Sequence, residues 1–377
     1  MKFNRQSYIN TKRDAWVEIN LDAIEHNILE LKKFVPEGTK VLAVIKADAY
    51  GHGSVPAAPT LIASGVDMFG VASVDEGMQL REAKITLPIL VLGAAPVWTF
   101  ARAAENNITL SVFTKEHIKA CRQAFEETGI KPHVHVKLDT GMNRIGVGEE
   151  HAVELINEIQ NSDFMVLDGI FTHFACAENP ERTAKQLEVW YKTINNVDTT
   201  GLILHNANTA ALISTERRED NMVRAGIGIY GLMPDLPEGT AKVPDLRPAM
   251  SLKARIVNIH EAPAGTGVSY SYRYTTDKPT KIATVPTGYA DGVSRGLSGK
   301  IFGILKGKKV PQIGNITMDQ MMFDITGIDA SDGDVITLLG KDGDEEISIN
   351  EWAKILNTIN YELTCRLKVR LARVYTR

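Results

Sequence analysis

The sequence predicts an α/β fold class: a (β/α)₈ barrel of the TIM type, followed by a smaller C-terminal β-rich domain. Three observations support this prediction. Short apolar runs alternate with helical patterns through residues 21–230, and eight such runs are present. Beyond them the pattern changes to short β-type runs with one clear helix. Strands separated by helical spacers indicate parallel βα units, and eight units favour a closed barrel over an open sheet.

Each predicted barrel strand is a run of apolar residues, which is typical of a parallel strand buried on both faces. The helical patterns between them repeat apolar residues at the spacing of one helix face. The predicted strands are residues 41–46, 68–73, 88–93, 108–113, 133–139, 167–173, 202–206 and 222–230. The predicted helices are residues 21–35, 74–84, 114–129 and 151–160.

A linker is predicted at residues 234–239, where the sequence PDLPEG crowds proline, glycine and aspartate together. The predicted domains are therefore a barrel over 12–240 and a β-rich domain over 241–377, with which the extreme N-terminus can pack. Within the second domain, the β-type runs are 252–262, 281–290 and 333–340, and the helix is 349–359.

The composition excludes several functional classes. A net charge of −4 argues against nucleic acid as a partner. No apolar run approaches the roughly 18 residues of a membrane span, and the first residues lack the apolar core of a signal peptide. The three cysteines are far apart and form no CxxC pair, so neither a disulfide framework nor a metal site is predicted. We expect a cytoplasmic protein without a membrane partner.

Polar residues end several predicted strands, which is where catalytic groups of such barrels lie. Lys46 follows five apolar residues, and Lys137, His173 and His205 end later strands. An apolar setting lowers the pKa of a lysine, and the neutral amine can then form a Schiff base with an aldehyde cofactor. The alternative, which the strand alone favours, is a lysine that reaches past apolar surface to water.

Nine sequence blocks resemble those of bacterial alanine racemases, in the same order. The first, VIKADAYGHG at 44–53, resembles the family's pyridoxal-phosphate motif. The resemblance implies a fold-type III pyridoxal 5'-phosphate enzyme that works as a homodimer, with active sites at the subunit interface. The other blocks are KLDTGMNRIG (137–146), THFACAE (172–178), HNANTAA (205–211), VRAGIGIYG (223–231), VSYSYRY (268–274), PTGYADG (286–292), TMDQ (317–320) and YELTCRL (361–367).

The resemblance assigns the two acid–base groups of a racemase to Lys46 and Tyr270. Lys46 would also hold the cofactor, and Tyr270 would reach it from the β-rich domain of the partner subunit. Racemisation needs such a pair because the α-proton leaves one face of a planar carbanion and returns to the other. His173 would lie beside Tyr270. Arg224 would lie behind His173 and face the pyridine nitrogen, which an arginine leaves unprotonated because it only donates.

The resemblance also implies the remaining binding residues. The phosphate would be held by the backbone N–H groups of Gly226 and Ile227 and by the side chains of Tyr50, Asn208 or Thr209, and Tyr361. Arg144 would bind the substrate carboxylate or the cofactor's phenolic oxygen, with a carbamylated Lys137 fixing it. Met318 and Asp319 of the partner chain would help to receive the substrate carboxylate, and Tyr289 would narrow the entrance. His133 and His135, on the same strand face as Lys137, are interpreted as hydrogen-bonded interior groups.

The chain departs from the family pattern at three positions. Ser271 stands where glycine is usual, Thr317 where cysteine is common, and Ala372 where proline is common. Thr317 leaves the size of the substrate side chain open. The GxGxxG pattern at 226–231 is not interpreted as a dinucleotide site, because prolines rather than a helix follow it.

The predicted activity is interconversion of L- and D-alanine, which supplies D-alanine for peptidoglycan. The alternative within the same chemistry is a racemase of another or a broader set of amino acids, such as serine and lysine. A decarboxylase is disfavoured by Arg224, because related decarboxylases carry an acidic residue there. A non-catalytic cofactor carrier is disfavoured because it would need neither Tyr270 nor His173.

Overall fold

The computed structural model of the protein describes residues 13–214, 220–367 and 370–377. The chain divides into two compact units. Of the described residues, the barrel unit comprises those of Ala23–Ala49 and Ser54–Arg247, and the C-terminal unit comprises residues 13–22 and those of Tyr50–Gly53 and Pro248–Arg377. The domain limits stated from the sequence, 12–240 and 241–377, stay a prediction.

Eight parallel strands form the sheet of the barrel unit. The first seven strands pair with one another in chain order, and the eighth pairs with the first. The predicted TIM-like barrel is confirmed, and every predicted strand region in it contains an observed strand. After β1 (Ala15–Asn20), which belongs to the C-terminal unit, the barrel strands are β2 (Lys40–Val44), β3 (Met68–Val71), β4 (Ile89–Val91), β5 (Ile108–Val112), β6 (His133–Lys137), β7 (Val166–Phe171), β8 (Ile203–His205) and β9 (Met222–Ala225).

The junction between β8 and β9 closes the barrel without a regular ladder. The Asn221 backbone N–H donates to Leu204 O at 3.1 Å, and Asn221 Oδ1 accepts from the Leu204 N–H at 2.8 Å. Three residues further along the chain, the Arg224 N–H donates to Ala207 O at 3.0 Å. The side chain of Asn221 and the backbone amides of Asn221 and Arg224 therefore satisfy backbone groups that would otherwise be unpaired at this edge.

The helices begin where the sequence supplies capping groups. Ser73, Thr114 and Asn179 each accept a hydrogen bond from the first turn of the helix that follows. The helix that begins after Thr114 ends at Gly129, whose φ of 70° forms a left-handed cap. The helical segments before the C-terminal unit are α1 (Leu21–Lys32), α2 (Lys46–Tyr50), α3 (Ser54–Ala63), α4 (Val74–Glu82), α5 (Phe100–Glu105), α6 (Lys115–Thr128), α7 (Glu149–Gln160), α8 (Pro180–Ile194) and α9 (Thr209–Ser214).

The C-terminal unit is built on one large, mostly antiparallel sheet. Its strands are β10 (Met250–Arg255), β11 (Asn258–Ala262), β12 (Gly267–Val268), β13 (Tyr274–Thr275), β14 (Thr280–Val285), β15 (Phe302–Leu305), β16 (Lys308–Ile313), β17 (Met321–Asp324), β18 (Val335–Asp342), β19 (Glu345–Ile347) and β20 (Ala372–Thr376). The main sheet runs β11-β14-β17-β16-β15-β18-β10-β1-β20. Two helices, α10 (Ile349–Leu356) and α11 (Asn360–Arg366), complete the unit.

The predicted run 252–262 is two strands rather than one. The Ile256 N–H donates to Asp334 O at 2.8 Å, whereas the next amide, Val257 N–H, donates to Thr284 O at 2.9 Å. The chain therefore passes from one neighbouring strand to another between these two residues. Such a change of partner is set by tertiary pairing, so the continuous apolar pattern did not reveal it.

The N-terminal strand β1 is part of the C-terminal unit. It pairs antiparallel with β10, where Val17 faces Leu252, and parallel with β20, where Val17 faces Arg373. Its apolar residues are buried, with Val17 and Ile19 fully inaccessible. Strand pairing over more than 200 positions of sequence therefore joins the two ends of the described chain in one sheet. No helix among the described residues is long and apolar enough to span a membrane.

A buried carboxylate ties together two loops of the C-terminal unit. The Asp291 side chain is inaccessible and accepts from Arg13 Nη1 at 3.0 Å, Arg370 Nε at 2.7 Å and the Gly288 N–H at 2.9 Å. Arg370 also binds Asp319. Two backbone hydrogen bonds, from the Tyr289 and Ala290 amides to the carbonyls of 317 and 318, hold the same loops together.

We expect Asp291→Asn to lower the free energy of unfolding by about 3 kcal/mol, because it leaves two arginines beside a buried neutral group. Urea unfolding followed by fluorescence measures this change. Asp329→Asn, at an exposed loop position of the same unit, is the matched control. Equal stabilities of the two variants would show that the Asp291 cluster does not stabilise the unit.

Candidate active site

The polar residues predicted at the strand ends converge at the carboxyl ends of the barrel strands. Lys137 and His205 are the last residues of β6 and β8, and His173 follows β7 by two residues. The pKa of His173 lies well below its usual value, first because of burial and then because Arg224, Lys137, Arg144 and Lys46 are nearby cations. These predicted site residues of the barrel unit therefore share one electrostatic environment.

Arg224 lies at the centre of this cluster and is 3% exposed. Its terminal nitrogens donate to three backbone carbonyls: Thr172 O at 2.7 Å, His205 O at 2.9 Å and Asn206 O at 2.9 Å. Burial lowers the pKa of Arg224 to about 10, so it remains a cation at neutral pH. All of these contacts with described residues use Nη1 or Nη2. The Nε–H group can therefore donate to a ligand.

Arg224 also fixes the proton positions on two histidines. Nη1 donates to His205 Nδ1 at 2.9 Å, and Nη2 lies 3.3 Å from His173 Nδ1. Because an arginine only donates, both Nδ1 atoms are acceptors, and the ring proton of each neutral histidine lies on Nε2. His173 therefore presents an N–H donor at the end of β7.

The histidine series continues one residue further into the barrel. His205 Nε2–H donates to His135 Nδ1 at 2.9 Å, so the proton of His135 also lies on Nε2. That Nε2 has no hydrogen-bond partner among the described residues. Burial, followed by the charge of Arg224, lowers the pKa of His135 to about 3. The interpretation of His135 as an interior group holds, but His133 is exposed and pairs with Asp168 at 2.8 Å, so it is not an interior residue.

Lys137 is a buried amine whose pKa is lowered. It is 3% exposed, donates to Leu138 O at 2.7 Å and lies 5.4 Å from the centre of the Phe171 ring. Burial, followed by the charge of Arg224, lowers its pKa to about 7. A substantial fraction of this amine is therefore neutral, and nucleophilic, at neutral pH.

Lys46 opens a turn whose backbone is left-handed. Ala47, Asp48, Ala49 and Tyr50 have φ between 51° and 54°. The sequence of this segment, KADAY, does not reveal this hand. Each non-glycine residue in this region costs roughly 1–2 kcal/mol, so α2 is a strained segment that neighbouring groups must hold. Its position beside a predicted catalytic lysine is typical of strain at functional sites.

Tyr270, in the C-terminal unit, is 71% exposed and also stands on strained backbone. Ser269, Ser271 and Tyr272 have φ of 65°, 62° and 44°. The left-handed conformation of Ser271 suits the glycine that the family pattern led us to expect there, since glycine adopts it without a steric cost. Met318 and Tyr289, predicted to approach the substrate, are 53% and 40% exposed in this unit.

The predicted phosphate donors of the barrel unit meet at α9 and the loop after β9. The Gly226 N–H donates to Thr209 Oγ1 at 2.8 Å, so the hydroxyl proton of Thr209 is directed elsewhere and can serve an anion. Residue 228 packs closely against Thr209, because a Cβ on Gly228 would lie only 2.9 Å from Thr209 Cγ2. The close approach of this backbone therefore favours glycine. Asn208 Oδ1 caps α9 by accepting from the Ala211 N–H at 3.0 Å.

Tyr50 and Tyr361, both in the C-terminal unit, have ring centres 6.1 Å apart. Burial raises the pKa of Tyr50 above its usual value, so its phenol remains a hydrogen-bond donor. The barrel unit therefore offers amines, an arginine N–H donor for a ring nitrogen and a hydroxyl group, and the C-terminal unit offers phenols. These residue types fit pyridoxal phosphate, which needs an amine for its aldehyde, a partner for its ring nitrogen and donors for its phosphate.

The chain is similar to known proteins over nearly its whole length. The profile of a family described as alanine racemase, N-terminal domain, matches residues 19–234, and that of alanine racemase, C-terminal domain, matches 249–375. The alanine racemase of Methanococcus maripaludis is 40% identical over 368 residues, which cover 96% of this chain and 98% of that protein. A solved alanine racemase of Clostridium difficile 630 superposes with a TM-score of 0.91 at 40% identity and covers 96% of both chains. A histidine racemase of Leuconostoc mesenteroides superposes with a TM-score of 0.90 at 31% identity, covering 97% of this chain and 99% of its own.

We expect His135→Gln to flatten the dependence of stability on pH. The pKa of His135 is about 3 in the folded state and about 6.5 in the unfolded state. Between these pH values the unfolded state binds a proton at His135 and the folded state does not. The wild-type protein therefore loses stability as pH falls below about 6.5, and the variant should lose about 1 kcal/mol less between about pH 6 and pH 5. Urea unfolding at each pH measures the slope, with the exposed His151→Gln as control. Parallel slopes for wild type and His135→Gln would contradict the neutral assignment.

Proposed function

The chain belongs to the alanine racemase family, and from that membership we propose that Lys46 and Tyr270 are its two acid–base groups. The protein is a pyridoxal 5'-phosphate-dependent isomerase that interconverts L-alanine and D-alanine, and the family's D-alanine supplies peptidoglycan. The proposal concerns which residues carry each part of this reaction.

Lys46 is proposed to hold the cofactor and to serve one face of the substrate. Pyridoxal phosphate, when bound, supplies an aldehyde for amines and an electron sink that acidifies the α-hydrogen of the amino acid. The Lys46 amine would take a proton from Cα, or return one to it, on its own side. Its place two residues after β2 supports this role, because side chains at the carboxyl ends of barrel strands face the same mouth.

Tyr270 is proposed to serve the opposite face, from a second copy of the chain in a homodimer. Its 71% exposure within one chain supports a role in a site that another copy completes. His173 would donate its Nε2–H to the phenolic oxygen of Tyr270, which stabilises the phenolate. The contact of Arg224 with His173 Nδ1 carries this proposal, since it directs the donor proton to Nε2.

Arg224 is proposed to direct the reaction towards racemisation. Its Nε–H would donate to the pyridine nitrogen without transferring a proton, because the guanidinium remains charged at a pKa of about 10. An unprotonated ring delocalises the carbanion less strongly than a protonated ring would. The α-carbon therefore stays basic enough to recover a proton, and decarboxylation and transamination are restrained.

The remaining predicted residues are proposed as binding groups. The side chains of Thr209 and Asn208, the backbone N–H of Ile227, and the phenols of Tyr50 and Tyr361 would hold the phosphate. The Gly226 N–H, which donates to Thr209 Oγ1, would orient that hydroxyl instead. Arg144 would hold the substrate carboxylate or the phenolic oxygen of the cofactor, with Met318, Asp319 and Tyr289 shaping the substrate side of the site.

Lys137 is proposed to be carbamylated and to fix Arg144. A neutral amine attacks carbon dioxide, forms an N–C bond and releases one proton, which leaves an anion on the lysine. The lowered pKa of Lys137 supports this step, because a protonated amine has no lone pair for it. The new anion would also balance the cations around His173.

A second candidate is a racemase with another or a broader substrate range, such as serine or lysine. The observation that favours it is the neighbour titled a histidine racemase, which shares this fold at 31% identity. Thr317, where relatives carry cysteine, is the position at which the side-chain pocket could differ. We further propose a cytoplasmic location, which three cysteines without a disulfide support.

The activity is tested by following the optical rotation of L-alanine with purified protein, before and after borohydride treatment, which reduces imines. Loss of rotation that borohydride abolishes is expected. Parallel assays with serine, lysine and histidine separate the two candidate substrate ranges. Bound cofactor without any loss of rotation would overturn the racemase assignment.

We expect Tyr270→Phe to block exchange of the α-proton for only one enantiomer of alanine, since each base serves one face. Proton NMR in D₂O, started from each pure enantiomer, measures the exchange. Tyr272→Phe, a neighbouring phenol of 72% exposure, is the control. Equal loss for both enantiomers would contradict the assignment of opposite faces.

We expect protein in ¹³C-bicarbonate to give a carbamate carbon signal that Lys137→Ala removes and Lys115→Ala, at an exposed lysine, retains. The signal should weaken between about pH 8 and pH 6, because the amine of pKa about 7 becomes protonated. A carbamate signal that persists in Lys137→Ala would place the modification elsewhere.

A further inference from the structure

We propose that Glu76 and Asn315 are positioning residues, which hold the backbone beside Lys46 and beside Tyr270 respectively. The inference rests on the proposed function of these two bases. Neither residue belongs to a sequence block that resembles the family's motifs. Each reaches a strained segment from a distant part of the chain, and each contacts the backbone rather than the base itself.

Glu76 fixes the peptide unit that directly follows Lys46. Its Oε1 accepts from the Ala47 N–H at 2.8 Å, and its Oε2 accepts from the Ala72 N–H at 2.6 Å. Ala72 directly follows β3, the neighbour of β2, so one carboxylate joins the ends of two adjacent strands. Hydrogen bonds to a charged acceptor are stronger than neutral ones, which suits the restraint of a left-handed turn.

The helix that carries Glu76 is itself anchored at the same place. Ser73 Oγ caps α4 by accepting from the Glu76 N–H at 3.3 Å. In the middle of the left-handed turn, Asp48 Oδ1 accepts from the Ser54 N–H at 2.8 Å and from its hydroxyl at 3.3 Å, at the start of α3. Two carboxylates therefore restrain α2, and Glu76 is the one adjacent to the lysine.

Asn315 holds the segment around Tyr270 by an independent set of contacts. It is 1% exposed, its Nδ2 donates to Tyr270 O at 2.6 Å, and its own carbonyl accepts from Ser269 Oγ at 2.8 Å. The preceding residue, Gly314, could not carry a Cβ, which would lie 2.9 Å from Ser269 Cβ. The close approach of these two loops therefore lets Asn315 bind both residues 269 and 270, its side chain at the Tyr270 carbonyl and its backbone carbonyl at the Ser269 hydroxyl.

The isosteric variants Glu76→Gln and Asn315→Asp test each contact with little change of shape. A glutamine amide accepts through one atom only, so one of the two backbone N–H groups loses its acceptor. An aspartate at 315 removes the donor and directs an oxygen at Tyr270 O. Glu82→Gln, at an exposed site on α4, is one control. Asn350→Asp is the other, since Asn350 accepts through its oxygen and needs no Nδ2.

The assay is exchange of the α-proton from L- and D-alanine in D₂O, with Tyr270→Phe as the reference. Asn315→Asp is expected to slow, by about tenfold, exchange of the enantiomer that Tyr270→Phe blocks. Glu76→Gln is expected to slow exchange of the opposite enantiomer by a similar factor. Each variant should leave the other enantiomer within about twofold, and both controls should match wild type.

Hydrogen exchange of the protein free of cofactor gives a readout that does not depend on activity. Peptides covering 44–53 should exchange faster in Glu76→Gln, and those covering 268–274 faster in Asn315→Asp, with the rest of each unit unchanged. This measurement also shows whether each variant is folded. If Glu76→Gln exchanges throughout, Glu76→Asp, which keeps the charge with a shorter reach, replaces it.

The outcomes distinguish a wrong assignment of faces to Lys46 and Tyr270 from wrong positioning roles for Glu76 and Asn315. If Tyr270→Phe slows both enantiomers equally, the proposed assignment of faces fails. If Tyr270→Phe is selective but Glu76→Gln and Asn315→Asp slow both enantiomers equally, or neither, the positioning roles are wrong. Unchanged local hydrogen exchange in a variant would also overturn the role of that residue.

Discussion

The buried guanidinium of Arg224 is the group on which the arrangement of the barrel unit's site depends. From β9, it donates to the carbonyl of Thr172 at the end of β7 and to the carbonyls of His205 and Asn206 at the end of β8. These hydrogen bonds span the junction between β8 and β9, which has no regular ladder. Because it cannot accept, it also fixes the ring protons of the histidines that it contacts. One charged side chain therefore joins the strand ends, sets the tautomers and leaves Nε–H for a ligand.

The electrostatic balance of this site follows from that single cation. Burial and the charge of Arg224 together lower the pKa values of His135, His205 and Lys137. These groups are therefore bases that stay wholly or partly neutral near neutral pH, which is the state that proton transfer and addition to carbon dioxide require. A carboxylate in place of Arg224 would accept rather than donate, and it would remove the part of these pKa shifts that the charge of Arg224 adds to burial.

Strained backbone occurs beside both proposed bases. Left-handed residues follow Lys46 in the barrel unit and flank Tyr270 in the C-terminal unit, and each segment is held by a side chain from a distant position, Glu76 or Asn315. Strain of this kind persists only where surrounding contacts outweigh it. The serine at 271 adds to that cost, since glycine would adopt its conformation freely.

The sequence by itself determined the barrel, its eight strands and the family, because apolar periodicity and contiguous motifs are local properties of the chain. The tertiary structure decided the features that depend on pairing across sequence: the change of partner between Ile256 and Val257, the union of β1 with β20, and the hand of the turn after Lys46. It also decided which polar groups are neutral. Burial and the direction of a donor are set by neighbours in space, and neither Glu76 nor Asn315 carries a sequence signal for the contacts that it makes.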